Sequence, residues 1–357
     1  MAGLVTAVRV AELGGEPLVC EKGDRAGGSM LLSSGVVWRH ERWEDFRAEC
    51  PGGDPALQRL VWSRLDEAIE WLRGLGAPVV HEGTGNPRTR GVRFDTQGLV
   101  EALAPRVTVR LGSPVPPGSD GPLVLATGGF GASRELVGRH IAPAAPLPVR
   151  GSPWSSGDGL ELARERGAAL SAGMDEFYGR AMPAAPWGDG DLVRAAQLYA
   201  AYARIVDESG EEFFRSEDVS WAETNVVQAM ARRPGARAWY LLEEPALGRR
   251  VRDRTVAEIV AAAPPAARPP LAELPFAVPD GVVAAVHVTA SITHTIGGLR
   301  VDDQARVLRE DGTPVPGLHA AGCDVGGVAT GGYASGLAQA VVLGLAAAES
   351  AVAFSGR

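Results

Sequence analysis

Read for the spacing of its apolar and polar positions, the chain opens on a helix. Gly3, Ala7 and Val10 fall at helical spacing, and Gly14-Gly15 ends the run. Leu18-Val19-Cys20 follows as a short apolar strand, closed by the carboxylate of Glu21 and a glycine-bearing loop through Ser29. From Pro55 to Gly76, Leu57, Leu60, Val61, Leu65, Ile69 and Leu72 share one side of an amphipathic helix. Leu123 to Phe130 reads as a buried strand running into the turn Gly128-Gly129, and a second turn, Ser156-Gly157-Asp158-Gly159, precedes another helix. Strand patterning resumes from Val286 to Gly317. His319 to Gly322 is a third strand-to-glycine turn, and the glycine-rich loop from Gly326 to Gly336 opens a last helix from about Leu337 to Val352. Between Met174 and Pro279 the pattern is irregular, which predicts a smaller inserted domain with the proline-rich stretch 264–279 as its return linker. The expected organisation is α/β: residues 1–173 and 280–357 build one domain, and 174–279 a second.

Composition changes this picture little. The 357 residues are 45% apolar and 22% charged, which suffices for a large core and about two domains. A formal charge of −8 offers no basic surface to nucleic acid or an anionic membrane. No membrane span is expected, because the most apolar stretch, Leu337 to Ala348, is about half the roughly 20 residues a span needs. The first residues lack the basic and apolar regions of a secretion signal. Cys20, Cys50 and Cys323 lie far apart without a CxxC, so zinc, a redox dithiol and a disulfide framework are not indicated. A reduced, cytoplasmic setting is the expectation.

The candidate chemistry begins with a partial motif. A dinucleotide-binding unit runs strand, GxGxxG, helix, strand, acid; its pyrophosphate rests on the helix N-terminus and its acid on a ribose hydroxyl. Gly3 stands where the third glycine belongs, and Glu21 ends the second strand where the ribose acid belongs. The first strand and the first two glycines would precede Met1.

Further motifs follow in order: Glu21-Lys22-Gly23 with Gly27-Gly28-Ser29; Ala126-Thr127-Gly128-Gly129-Phe130; Thr293-His294-Thr295-Ile296-Gly297-Gly298; Ala320-Ala321-Gly322-Cys323-Asp324; and Gly331-Gly332-Tyr333-Ala334-Ser335-Gly336-Leu337. Together they resemble the fumarate reductase/succinate dehydrogenase flavoprotein superfamily, which includes 3-ketosteroid dehydrogenases, from Gly3 to about Glu349. The resemblance implies a Rossmann-like FAD-binding domain with an inserted α+β capping domain, and an active site where cap and flavin meet. It implies that Glu21 binds the adenosine ribose and that Gly27, Gly28 and Ser29 follow the pyrophosphate toward the flavin, with Lys22, Ser34 and Gly35 as further cofactor-binding residues. Ala126, Thr127 and Gly128 match a turn near the adenine half. Gly322 and Asp324 match the ribityl or ribose side, His294 a flavin contact, and Ser335, Gly336 and Leu337 the helix start under the flavin pyrimidine ring. A helix N-terminus there favours the negative charge of reduced flavin by about 0.3–1 kcal/mol when exposed, and up to about 2 kcal/mol when partly buried.

Departures from the superfamily narrow the chemistry. Fumarate and succinate enzymes clamp a dicarboxylate with arginines, one of them in the loop before the last helix. Here that loop, Ala329 to Ser335, has no arginine, and the substrate-histidine position is Thr293. Fumarate reduction is therefore not expected. The loop carries Tyr333 instead, as in ketosteroid dehydrogenases, where a phenol polarises a carbonyl or moves a proton while hydride passes to flavin N5. Tyr178 and Arg180 are further catalytic candidates. No histidine lies between Lys22 and Arg39, so FAD is expected to be noncovalent. The expected substrate is an apolar or cyclic ketone, with a separate electron acceptor or donor. The stretches 111–123 and 264–279 look abbreviated, which leaves an alternative: a degenerate flavin-fold scaffold without FAD.

Overall fold

The computed structural model describes residues 1–114 and 121–355. They form two compact units, one of Met1–Leu136, Gly151–Glu176 and His294–Arg357, the other of Val137–Arg150 and Phe177–Thr293. The second unit therefore takes in residues on both sides of 174–279. The abbreviated stretch 111–123 falls partly outside the described residues.

In the first unit, Leu18–Cys20 pairs in parallel with Thr108–Arg110. A separate sheet joins Arg306–Leu308, Pro314–Ala320 and Leu123–Leu125, the last two parallel with Leu318 opposite Leu123. The short strands Leu18–Cys20 and Leu123–Leu125 both end at loops carrying expected cofactor residues, as ligand sites in α/β sheets do. A third, antiparallel sheet orders Val36–His40, Thr89–Phe94 and Val79–Glu82.

Helices bury the rest of the core. Asp54 caps helix Pro55–Gly74 by accepting from the backbone N–H groups of Ala56 and Leu57, and Pro55 presets its first turn. That helix buries Leu57, Val61, Leu65, Ile69 and Leu72, with Leu60 half-buried. Full burial of Leu65 or Leu72 stabilises the unit by roughly 1.5–3 kcal/mol each. Helix Ala2–Glu12 packs on the last helix, Gly336–Ser355, where Thr6 Oγ1 donates to the Gly344 carbonyl at 3.1 Å. A side chain on Gly344 would come 3.0 Å from Val5 Cγ1, so glycine permits this approach. Arg9 and Arg64 both reach Glu349 on the same helix.

The last helix corrects the sequence expectation. Gly336–Phe354, with a mean hydropathy of 1.7, is long and apolar enough to cross a membrane, and 67% of it is buried inside the protein. The apolar run read from the sequence stops at Ala348 because Glu349 and Ser350 follow it; the helix continues through both, and its small residues let neighbouring helices close on it.

The second unit holds a five-stranded sheet in the order Phe177–Pro183, Val282–Thr295, Arg237–Glu243, Arg204–Val206, Glu212–Phe214. Arg237–Glu243 is antiparallel to both its neighbours. The apparent irregularity of this region thus conceals a sheet in which two strands have only three residues each, and the first strand pairs with a segment far along the chain. The proline-rich stretch is no simple linker: Leu271, Leu274 and Phe276 cover a cluster of Val206, Trp239, Leu241 and Ala285.

Candidate flavin site

The expected cofactor residues of the first unit gather at strand ends and helix starts. Gly3 faces Ala126, where an added Cβ would be 3.5 Å from Ala126 Cβ, and Gly322 similarly faces Ala2 at 3.0 Å. These contacts bring the first helix against the turns that follow Leu123–Leu125 and Pro314–Ala320. Gly128 and Gly129 have φ of 92° and 77°, which a residue with Cβ rarely adopts. Their turn is held by Asp324, which is 1% exposed. Its Oδ2 accepts from the N–H of Thr127 and, at 3.1 Å, of Gly128; its Oδ1 accepts from Thr127 Oγ1 at 2.7 Å. Burial raises the Asp324 pKa and these donors oppose the rise. The resemblance puts Asp324 on the ribityl or ribose side; in the structure its carboxylate binds the turn of Thr127 and Gly128.

At the other strand end, Glu21 Oε1 accepts from Gly23 N–H at 2.7 Å. Lys22 does not project alone: its Nζ lies 2.6 Å from both Ser156 Oγ and Asp158 Oδ2. Ser29 Oγ accepts from Ser152 N–H at 2.8 Å. Gly27 and Gly28 have φ of 112° and 56°, and nothing stands within 4 Å of a Cβ built on Gly28. The Met1 amino group is 3.4 Å from the Gly27 carbonyl, so this loop meets the start of the first helix. Further along, the Ser34 carbonyl accepts from Arg93 Nε, and a Cβ at Gly35 would strike the Phe94 carbonyl.

The start of the last helix is the third group. Ser335 Oγ accepts from Ala338 N–H at 3.2 Å as a cap. Gln339 Nε2 ties the helix to the carbonyls of Gly322 and Val325. His294 Nδ1 is 3.1 Å from the Thr295 carbonyl, which can only accept, so Nδ1 carries the proton. Its Nε2 faces Gly336, 3.1 Å from the position of an added Cβ. Burial lowers the His294 pKa and favours the neutral ring. Leu337 follows within the first helical turn.

Tyr333 precedes this helix. Its ring centre is 5.3 Å from that of Trp38, and its carbonyl lies 3.4 Å from His40 Nε2. The loop is pinned by three backbone approaches. Gly331 N–H donates to Glu176 Oε2 at 2.7 Å, Gly52 N–H donates to the Thr330 carbonyl, and an added Cβ at Gly332 would strike the Glu49 carbonyl. Tyr178 and Arg180 belong to the second unit. Both are buried there, the Arg180 guanidinium 4.9 Å from the Tyr178 ring and donating to the Ala222 carbonyl.

FAD requires a receptive helix start, room beside the backbone for a pyrophosphate, and a carboxylate near the ribose. The residues fit. Helix Ala2–Glu12 starts without a side-chain cap, Gly28 beside it faces open space, and Glu21 stands at the end of the adjoining strand. The family described as FAD binding domain matches residues 112–337. The chain belongs to it, within the fumarate reductase/succinate dehydrogenase flavoprotein superfamily. FAD is its cofactor, against the alternative of a scaffold without flavin, and its enzyme class is FAD-dependent oxidoreductase acting on CH–CH groups. Over 442 residues it is 23% identical to the fumarate reductase (cytochrome) of Shewanella frigidimarina, covering 99% of this chain and 76% of that one. Its fold is similar to 3-ketosteroid-delta4-(5alpha)-dehydrogenase from Rhodococcus jostii RHA1, with a TM-score of 0.70, 19% identity and coverage of 98% and 94% of the two chains. It is likewise similar to 3-ketosteroid delta1-dehydrogenase from Sterolibacterium denitrificans, with a TM-score of 0.71, 16% identity and coverage of 99% and 98%.

Sequence reasoning passed over Ser156 and Asp158, which hold Lys22, and Glu176, which holds Gly331. The Ser156-Gly157-Asp158-Gly159 turn was visible as a glycine turn before a helix, the same pattern that singled out the other cofactor loops. Glu176 left no local signal, since its partner is Gly331.

Proposed function

We propose that this flavoprotein dehydrogenates a carbon–carbon bond beside the carbonyl of an apolar or cyclic ketone, or reduces it in the reverse direction, with a separate electron partner. The observation that carries this reading is the loop 329–335, which holds Tyr333 and no arginine. Without a guanidinium in that loop, a carboxylate substrate lacks the fork it is usually held by. Bound FAD supplies the hydride acceptor or donor. Glu21, Lys22, the glycines 3, 27, 28, 35, 128, 322 and 336, and Ser29, Ser34, Ala126, Thr127, His294, Asp324, Ser335 and Leu337 form or support its noncovalent cradle. Tyr333 polarises the substrate carbonyl or transfers the proton at its phenol oxygen. Its support on Trp38 and the anchoring of Gly331 by Glu176 keep that oxygen placed. Arg180 and Tyr178 support the second unit from its core. The three cysteines are unpaired, which supports the cytoplasmic setting.

The test is turnover under an artificial electron acceptor with a 3-ketosteroid, and under reduced viologen with fumarate. Ketosteroid dehydrogenation is expected, and Tyr333→Phe is expected to lower kcat about 100-fold or more, the usual worth of one acid–base group, with flavin content unchanged. Fumarate turnover without ketone turnover, or an unaltered kcat in Tyr333→Phe, would overturn the reading.

A further inference from the structure

Trp154 stands beside the carboxylate assigned to the adenosine ribose. A Cβ at Gly23 would lie 2.7 Å from Trp154 Cδ1 and 3.1 Å from Glu21 Oε1, so the indole and the carboxylate flank a single backbone position that only glycine leaves open. The carboxylate is fixed by Gly23 N–H, and the indole by its segment. Ser152 N–H is bound to Ser29 Oγ at one end, and Ser156 and Asp158 are bound to Lys22 at the other. Lys22 Nζ also lies 5.9 Å from the Trp154 ring centre. Thus the loop 21–29 and the segment 152–158 are cross-linked at two points, with Trp154 between them.

Despite this anchoring, Trp154 is 45% exposed. A rigidly seated indole with an open surface is a stacking platform in search of a flat partner. The local charge favours a base over a phosphate as that partner: the Lys22 ammonium beside the ring is already paired with Asp158.

We propose that Trp154 stacks on the adenine of FAD while Glu21 beside it holds the ribose, and that the Lys22–Asp158 bridge sets the indole in place. The proposal rests on the flavin-site reading above. A purine–indole stack contributes roughly tenfold to a hundredfold to affinity.

The experiment titrates the full-length protein, depleted of flavin, with FAD, ADP and FMN, following tryptophan fluorescence and calorimetry. Trp154→Ala is expected to weaken FAD and ADP binding about tenfold or more and to leave FMN binding unchanged. Trp154→Phe is expected to restore most of the loss. Unchanged FAD and ADP affinity in Trp154→Ala, or an equal loss for FMN, overturns the role of Trp154 while leaving the flavin site intact. Failure of the unaltered chain to bind FAD overturns the flavin reading itself, and with it the proposal.

Discussion

Each unit buries a carboxylate, and the two are treated differently. Asp324 in the first unit is surrounded by donors from Thr127 and Gly128. Glu223 in the second unit is 7% exposed and sits in left-handed backbone at φ 57°. Among the described residues it accepts one hydrogen bond, from Ala200 N–H at 3.0 Å, while its Oε2, the Tyr240 hydroxyl and Thr224 Oγ1 have no hydrogen-bond partner. Burial pushes the Glu223 carboxyl up to about 7, against the opposing pull of Arg180, the Ala200 N–H and Arg252. Both sites bear the cost of desolvation; the number of donors sets the outcome. A fully bonded carboxylate becomes a rivet for a backbone turn. A partly bonded one becomes a group that changes charge near neutral pH.

The largest effect that tests this contrast is Asp324→Ala. It strands two backbone donors and a hydroxyl in a buried turn, and about 3–5 kcal/mol of stability should be lost along with bound flavin. Urea unfolding and flavin absorbance measure both, and a loss below about 1 kcal/mol would remove the distinction from Glu223.

Glu223→Gln comes next. The folded pKa of about 7 exceeds the ordinary 4.5, so the folded protein holds a proton that the unfolded chain has released. Stability then falls as pH rises from about 4.5 to about 7 and levels off above that. Glutamine imitates the neutral acid. The variant should therefore match the parent near pH 4 and exceed it by about 3 kcal/mol near pH 8. A parent and variant that keep parallel stability profiles across this range would show Glu223 to be as well compensated as Asp324.

Ser335→Ala is the smallest of the three. Loss of the cap on Ala338 should cost about 1 kcal/mol in thermal unfolding while FAD stays bound, since the helix keeps its burial and its Gln339 anchors. Loss of flavin at an unchanged Tm would instead place the Ser335 hydroxyl on the cofactor.

The sequence made the first unit more legible than the second. Gly128 and Gly129 must turn with positive φ directly after a strand, and such a requirement leaves its mark in one short stretch of chain. The sheet of the second unit leaves no such mark, because Phe177–Pro183 pairs with Val282–Thr295, more than a hundred residues away. The site shows the same division. Glu21 was visible as the acid closing a strand, whereas the partners of Asp324 and Lys22 come from distant segments and could not be read locally. Arg180 and Tyr178 looked like cap chemistry from residue type alone; their burial against Ala222 and one another is a tertiary fact. The last helix was read as apolar only to Ala348 because Glu349 interrupts the run, and the partners that accommodate Glu349, Arg9 and Arg64, come from distant segments.

The bond from Thr6 to Gly344 spans 338 residues and fastens the first helix to the last. On a ribosome adding about 5–20 residues per second, the first helix waits roughly 17–70 s for that partner to be made. During this interval the apolar face of Ala2–Glu12, with Leu4, Val5 and Val8, has no final resting place. The second unit, whose segments are all synthesised earlier, has its sheet complete before the first unit can close. The glycine loops of the first unit can take up their final spacing only once the last helix has been made.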